Sequence, residues 1–453
     1  MCKNWFALLL GLVLTCNGAL AGLNGRVERV IEEANINAAA VSVSVKDVKS
    51  GDVIVKINQK QPMIPASTQK LLTFPAMAET LGADYKFTTK IFKTAENDIY
   101  LVLAADPYLS KTDLKRLIKA LGNNSLETCR EFYIDDSIID SEDWGEGWQW
   151  DNDLNPLMPR YSVYNLDENL LTLIIRPTVK GSQADVRLTE FYPVTFMNLV
   201  VTGGSDNVKL SRKNHISPDI LTLEGTVKKQ VVKRFPVNNP KRYFLMRLDE
   251  VIKENKFDYY GDFPNQLITN AGERRLISEI SHSLNRAGVD ILKYSNNFVT
   301  ETVYKIAGGK YKNSQGTVEA ANEMFFDYCQ KNNLDTSDIR IVDGSGVSKN
   351  NIMTADFVTS FLLNEAQKST FEKYYSTMAK PSEGTLKNRM LYFNDKLRAK
   401  TGSLSDVSAI AGYLTTQNGN IVAFDIMIND HKVKNNGKKL LEEEILRTIY
   451  INY

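Results

Sequence analysis

The sequence predicts a mixed α/β (α+β) protein in which one discontinuous domain is interrupted by a β-rich insertion. Three features predict it. A helix and a period-two hairpin open the chain, two apolar strands and an amphipathic helix close it, and a long tract of short strands lies between. About 430 residues follow an N-terminal leader, more than one hydrophobic core usually serves, so at least two domains are expected.

Residues 1–21 read as an export signal. Lys3 supplies the positive end, residues 5–14 the apolar run, and Ala19-Leu20-Ala21 a small-x-small cleavage site. The run is shorter than the roughly 20 apolar residues a membrane span needs, and no later stretch approaches that length. Cys16 offers lipidation as a second route, but Thr15 precedes it where a small Gly or Ala is usual. The expectation is a soluble chain exported to the periplasm, with no transmembrane helix.

Residues 24–33, with Val27, Val30 and Ile31 apolar, predict an amphipathic helix. Residues 40–45 alternate at period two, Lys49-Ser50-Gly51 make a turn, and 53–55 form the return strand. Pro62 and Pro65 break the chain before a helix from Ser67 towards Leu81, with Leu71, Leu72, Phe74 and Met77 at helical spacing. Short strands follow at 87–92, 99–103, 132–134, 170–175, 197–201 and 220–223, with one helix at 114–121. Helical patterns return at 243–254, 276–287, 296–307 and 318–329. Strands at 409–415 and 421–428 and a helix at 439–449 complete the chain. The expected division assigns 22–86 and 236–453 to the discontinuous domain and 87–235 to the insertion, which is long enough for one or two small domains.

Composition excludes several classes. Beyond the leader, basic and acidic side chains are equal in number, so no global field draws nucleic acid or an anionic membrane. Lys228-Lys229 and Lys438-Lys439 read as solvated surface. Cys129 and Cys329 have no metal-type spacing and are expected as buried, unpaired thiols. His215, His282 and His431 are scattered, with nothing to suggest a Ser-His-Asp triad, and no metal or other cofactor is expected.

Three short motifs carry the chemistry. Ser67-Thr68-Gln69-Lys70 is an S-x-x-K; residues three apart share a helix face, so the amine can reach the hydroxyl. Such an amine is a base only when neutral, which burial and a neighbouring cation favour. A helix-capping serine followed by a surface lysine would give the same letters. Ser295-Asn296-Asn297 precedes a helical pattern. There Ser295 is a candidate proton relay and the Asn297 amide a candidate substrate clamp, with helix capping by Ser295 as the plain alternative. Lys400-Thr401-Gly402-Ser403 opens a strand-like stretch: Lys400 offers positive charge to a substrate carboxylate, and Gly402 lets a ligand approach the backbone. The order S-x-x-K, S-x-N, K-T-G is the signature set of penicillin-binding proteins and class A β-lactamases.

At these residues the chain resembles the penicillin-binding proteins. It is most similar to the class C low-molecular-mass D-alanyl-D-alanine carboxypeptidase/endopeptidases of the penicillin-binding protein 4 type. Residues 65–73 resemble the family's nucleophile helix, and Ala104-Ala105-Asp106-Pro107-Tyr108-Leu109 its G-x-G-D-P-x-L segment, with alanines for the glycines. Ser295-Asn296-Asn297-Phe298 resembles S-[DN]-N with its apolar neighbour, and 343–348 the family's D-G-S-G-L-S. The likeness runs from about residue 25 to the C-terminus and thins between roughly 177 and 235.

The resemblance implies a penicillin-binding-protein/serine β-lactamase-like transpeptidase domain acting on peptidoglycan peptides, with β-lactam antibiotics as covalent inhibitors. Lys70 would deprotonate Ser67 for attack on the D-Ala carbonyl. The backbone N–H groups of Ser67 and Ser403 would hold the oxyanion, and Ser295 would pass the proton to the leaving amine. Lys400, Thr401 and Ser403 would hold the terminal carboxylate, and water would resolve the acyl-enzyme. Trp148-Gln149-Trp150-Asp151-Asn152-Asp153 resembles a segment whose acidic residue faces the stem-peptide side chain in relatives. Asp151, with Trp150, is preferred over Asp153; two packing tryptophans at a domain junction are the alternative. Lys349 stands where relatives often carry Arg. A serine β-lactamase is the competing enzyme, disfavoured by the long insertion and by the lack of an assignable deacylating Glu. A non-catalytic wall-binding homologue is disfavoured by the intact motif residues.

Overall fold

The computed structural model describes residues 22–123, 128–212, 217–259, 265–266 and 273–453. The export signal expected over residues 1–21, with Cys16, and His215 lie outside them. No helix among the described residues is long and apolar enough to cross a membrane.

The two ends of the chain build one antiparallel sheet. Its strand order is Leu397–Ser403, Val407–Thr415, Ile421–Asn429, Val41–Asp47, Val53–Ile57. The alternation in Val41–Asp47 sorts its side chains between two covers. Val41, Val43 and Val45 join the core formed with Leu23, Val27 and Ile31 of helix 22–33 and with Leu441, Ile445 and Ile449 of helix Asn435–Asn452. Ser44 and Lys46 turn the other way, to Thr359 and Ser360 of helix Ala355–Ala366. Both faces are covered, so all seven residues of Val41–Asp47 are buried.

Residues 86–236 contribute strands to several further sheets. Lys86–Lys93, Ile99–Val102 and Phe132–Asp135 lie in a second five-stranded sheet, and Arg275–Ser283 pairs antiparallel with Lys86–Lys93 at its edge. This corrects the helix expected at 276–287. Leu276, Ile277 and Ile280 fit a helical face as well as a strand, and partner-strand pairing decides between them. The helix starts later, at Leu284–Leu292, where the Ser283 side chain accepts from the Arg286 N–H. Leu170–Arg176 pairs with Val231–Pro236 and Asp185–Leu188, while Thr195–Thr202 pairs in parallel with Ile220–Val227. Cys129 and Cys329 are both free and buried.

Candidate active site

The S-x-x-K segment bends sharply at its start. Ala66 takes a left-handed φ of 49°, and a 3-10 turn, Ala66–Gln69, runs into helix Lys70–Leu81. Ser67 is half-buried, whereas Lys70 is completely buried. The Lys70 Nζ lies 2.9 Å from Ser67 Oγ, 2.7 Å from Asn297 Oδ1 and 2.7 Å from the Ser345 carbonyl. A neutral amine has two hydrogens and one lone pair. Asn297 and Ser345 can accept only the hydrogens, which leaves the lone pair for the Ser67 hydroxyl. Burial pushes the Lys70 amine down to about 7, against the pull of the Glu301 and Asp343 carboxylates.

Asp343 opens the D-G-S-G motif of the sequence, whereas no sequence motif marks Glu301. Glu301 lies one turn beyond Asn297 on helix Asn297–Lys312, and its two oxygens accept from the N–H groups of Gly344 (3.1 Å) and Ser345 (2.7 Å). Burial, reinforced by Asp343, raises the Glu301 carboxyl to about 7. Asp343 is likewise fully buried and accepts from Trp148 Nε1 (2.9 Å), from the N–H groups of Gly346 and Ser348 (2.7 Å each) and from Asn351 Nδ2 (2.9 Å). Glu301 from the helix and Asp343 within the D-G-S-G loop together fix the backbone that presents the Ser345 carbonyl to Lys70. The spacing N-x-x-x-E at 297–301 was the available signal, since residues four apart share a helix face.

Ser295 does not cap the following helix. Asn296 does, accepting from the Val299 N–H. Ser295 adopts a left-handed φ of 61°, and its Oγ accepts from Lys400 Nζ at 2.7 Å. Lys400 is fully buried on the edge strand Leu397–Ser403 and also donates to the Thr401 carbonyl at 2.6 Å. Burial first, then the Lys70 charge, pushes the Lys400 amine well below its usual value. Gly402 abuts the nucleophile turn: a Cβ there would lie 2.8 Å from the Pro65 carbonyl oxygen and 3.0 Å from Ser67 N. Thr401 is half-buried and Ser403 exposed on the same strand.

Five residues from three distant motifs thus converge as Ser67–Lys70–Asn297 and Ser295–Lys400, alongside Thr401, Gly402 and Ser403. Asn297 also ties in the insertion, its Nδ2 donating to the Leu157 carbonyl at 2.9 Å. Trp150 and Asp151 are exposed on the 3-10 turn Trp150–Asn152, whereas Asp153 pairs with Arg212 at 2.5 Å. Trp148 is a packing residue, edge-on to Trp144 and Tyr161 and bonded to Asp343. Lys349 reaches Ser405 Oγ (3.0 Å) and Asp406 (3.2 Å), bridging to the loop after the K-T-G strand. An apolar cavity of ≈ 400 Å³ lies against Phe74, Ala78, Gly288, Val289 and Tyr374; none of the five motif residues lines it.

The sequence model of the D-Ala-D-Ala carboxypeptidase 3 (S13) family matches residues 23–445. The chain belongs to that family. Among relatives of this S13 chain is a D-alanyl-D-alanine carboxypeptidase of an Actinomadura species, 27% identical over 444 residues, covering 91% of this chain and 82% of the relative. A second, from Haemophilus influenzae and also named a D-alanyl-D-alanine carboxypeptidase, is 21% identical over 414 residues, covering 86% and 85%. In three dimensions, crystalline penicillin binding protein 4 from Haemophilus influenzae superposes with a TM-score of 0.80 at 20% identity, covering 94% of this chain and 99% of that one. The same protein complexed with a β-lactam gives 0.76 at 18% identity, with the same coverage. The S13 chain therefore has the penicillin-binding protein 4 fold.

Proposed function

We propose that this protein is a serine D-Ala-D-Ala carboxypeptidase of peptidoglycan stem peptides, with D,D-endopeptidase action on cross-links, working through a Ser67 acyl-enzyme. One observation carries the reading: the buried Lys70 amine sits between two fixed acceptors and the Ser67 hydroxyl. Lys70 takes the hydroxyl proton as Ser67 Oγ bonds to the penultimate D-Ala carbonyl carbon, and the Ser67 and Ser403 N–H groups receive the oxyanion. The C–N bond then breaks, and Ser295 relays to the departing amine the proton that Lys70 took from Ser67, so both the Lys70 amine and the Ser295 hydroxyl are restored. Lys400, with Thr401 and Ser403, receives the terminal carboxylate. That anion restores the ammonium form of Lys400, which burial disfavours in the empty site. Gly402 keeps the strand close to Ser67, and Asn297 orients both Lys70 and the substrate amide. Water attack on the ester releases the shortened peptide.

Trp150 and Asp151 are exposed and would read the stem-peptide side chain; Asp153 is already paired with Arg212. The site works in the periplasm after removal of residues 1–21, and β-lactams acylate Ser67. Incubating the protein and its Ser67→Ala variant with a fluorescent penicillin, then denaturing, tests the reading. Label on the unaltered protein alone is expected, together with D-Ala release from a pentapeptide. Absence of label on the folded protein would sink the enzymatic reading.

A further inference from the structure

The Ala104–Leu109 segment takes no part in the chemistry above, yet it makes an unusual set of contacts. Asp106 is 1% exposed. Its Oδ1 accepts the Tyr108 N–H at 2.9 Å, and its Oδ2 lies 2.6 Å from His282 Nδ1. Ala105 before it has a left-handed φ of 49°. The short turn is thus clamped at both carboxylate oxygens and delivers the Tyr108 ring across to helix Leu284–Leu292. There the Tyr108 hydroxyl donates to Asp290 Oδ2 at 2.7 Å, and the Arg286 guanidinium covers the ring at 3.9 Å.

Asp290 is the residue from which the Ser295 loop hangs. Its carbonyl accepts the Asn296 N–H at 2.9 Å, closing the loop 291–295, and Asn296 then caps the helix that carries Asn297 and Glu301. On the opposite side the Lys293 carbonyl accepts the Thr385 N–H at 3.1 Å. Ser295 is held between these anchors in a left-handed conformation that a non-glycine residue adopts only where the surroundings fix it. The Asp290 side chain is held by Tyr108.

We propose that Tyr108 and Asp290 are positioning residues for Ser295: the Tyr108–Asp290 hydrogen bond, backed by the Asp106–His282 pair, fixes the loop in which Ser295 delivers a proton to the leaving group. This inference rests on the relay role assigned to Ser295 above. It gives Tyr108, far from Ser295 in the chain, a part in the reaction.

The test compares two acyl donors that differ only in the leaving group. A D-Ala-D-Ala amide must receive a proton as its C–N bond breaks. The matching thioester expels a thiolate that needs none. Single-turnover acylation rates are measured for the unaltered protein, Tyr108→Phe, Asp290→Ala, Asp290→Asn and Ser295→Ala. Tyr108→Phe and Asp290→Ala are expected to lower amide acylation roughly tenfold while leaving thioester acylation within about twofold. Asp290→Asn keeps an acceptor for the tyrosine and is expected to restore most of the amide rate. The double variant Tyr108→Phe/Asp290→Ala should be no worse than either single one, because one bond is lost in each case. Thioester turnover doubles as the measure of folding, so an equal loss on both donors marks a merely structural role and overturns the inference, as does no loss at all. If Ser295→Ala separates the donors and Tyr108→Phe does not, only the positioning role fails. If Ser295→Ala slows both equally, the relay role fails and takes the inference with it.

Discussion

The sheet that carries Lys400 and the sheet in which Thr195–Thr202 pairs with Ile220–Val227 are built from strands of similar length, yet they spend their residues differently. In the catalytic sheet, Val407–Thr415 is buried at every position but the last, and Ile421–Asn429 at all but the two ends. In the other sheet, Thr195–Thr202 buries only Val200 and Thr202, and Met197, Leu199 and Val201 are exposed. A strand packed on both faces has its register dictated from two sides, and its edge can hold a lysine against a serine to within a few tenths of an ångström. A strand packed on one face tolerates exchange on the other. The proposed chemistry sits where the backbone is over-determined.

That contrast is open to direct attack. The largest effect is expected from Lys70→Ala, which removes the base and leaves the Asn297 and Ser345 oxygens without their donor. Acylation by a fluorescent penicillin should fall by about 10³-fold, and a fall of less than tenfold would mean that another group takes the proton. Ile410→Ala, in the strand beside Lys400, should cost about 3–4 kcal/mol in denaturant unfolding, because the cavity opens in a two-sided core. At Gly346, with φ 76°, a Cβ would lie 2.0 Å from the Ala66 carbonyl oxygen. Gly346→Ala should cost roughly 2–3 kcal/mol, seen as a lowered Tm, and should slow acylation by displacing the turn that bears Ser67.

Titration offers a gentler probe. Lys70 must be neutral to act as base, and burial brings it down to about 7. Acylation should therefore level off above that pH and decline as pH drops below it, by about tenfold per unit. A profile still climbing from pH 8 to 10 would show an ordinary surface-like lysine instead. The smallest effect belongs to the other sheet: Leu199→Thr should change unfolding free energy by less than about 0.5 kcal/mol and leave acylation unaltered. A loss comparable to that of Ile410→Ala would erase the distinction between the two sheets.

Most of the machinery was legible because it is local. Ser67 and Lys70 meet across one helical turn, and Lys400 to Ser403 lie along one strand, so three letters of spacing suffice. The helix 276–287 was misread because Leu276, Ile277 and Ile280 satisfy both periodicities, and the choice lay with a partner strand some 190 residues earlier in the chain, at Lys86–Lys93. Helix Ala355–Ala366, with its buried Phe357, Val358, Phe361 and Leu362, was passed over. The capping role expected as the alternative for Ser295 belongs to Asn296, and neither residue's backbone angle is written in its side chain.

By itself the sequence determined the chemical parts of this protein: a serine, two lysines, a second serine and an asparagine in S-x-x-K, S-x-N and K-T-G order. It also determined the periodicities of the strands and helices that carry them. Only the tertiary structure decided that Glu301 and Asp343 grip the loop facing Lys70, that Lys400 meets Ser295, and that Tyr108 reaches Asp290. The reason is physical. Spacing along a helix or strand follows from local backbone geometry, whereas the protonation state of a buried amine and the partner of a buried carboxylate depend on groups that long-range packing brings within a few ångströms.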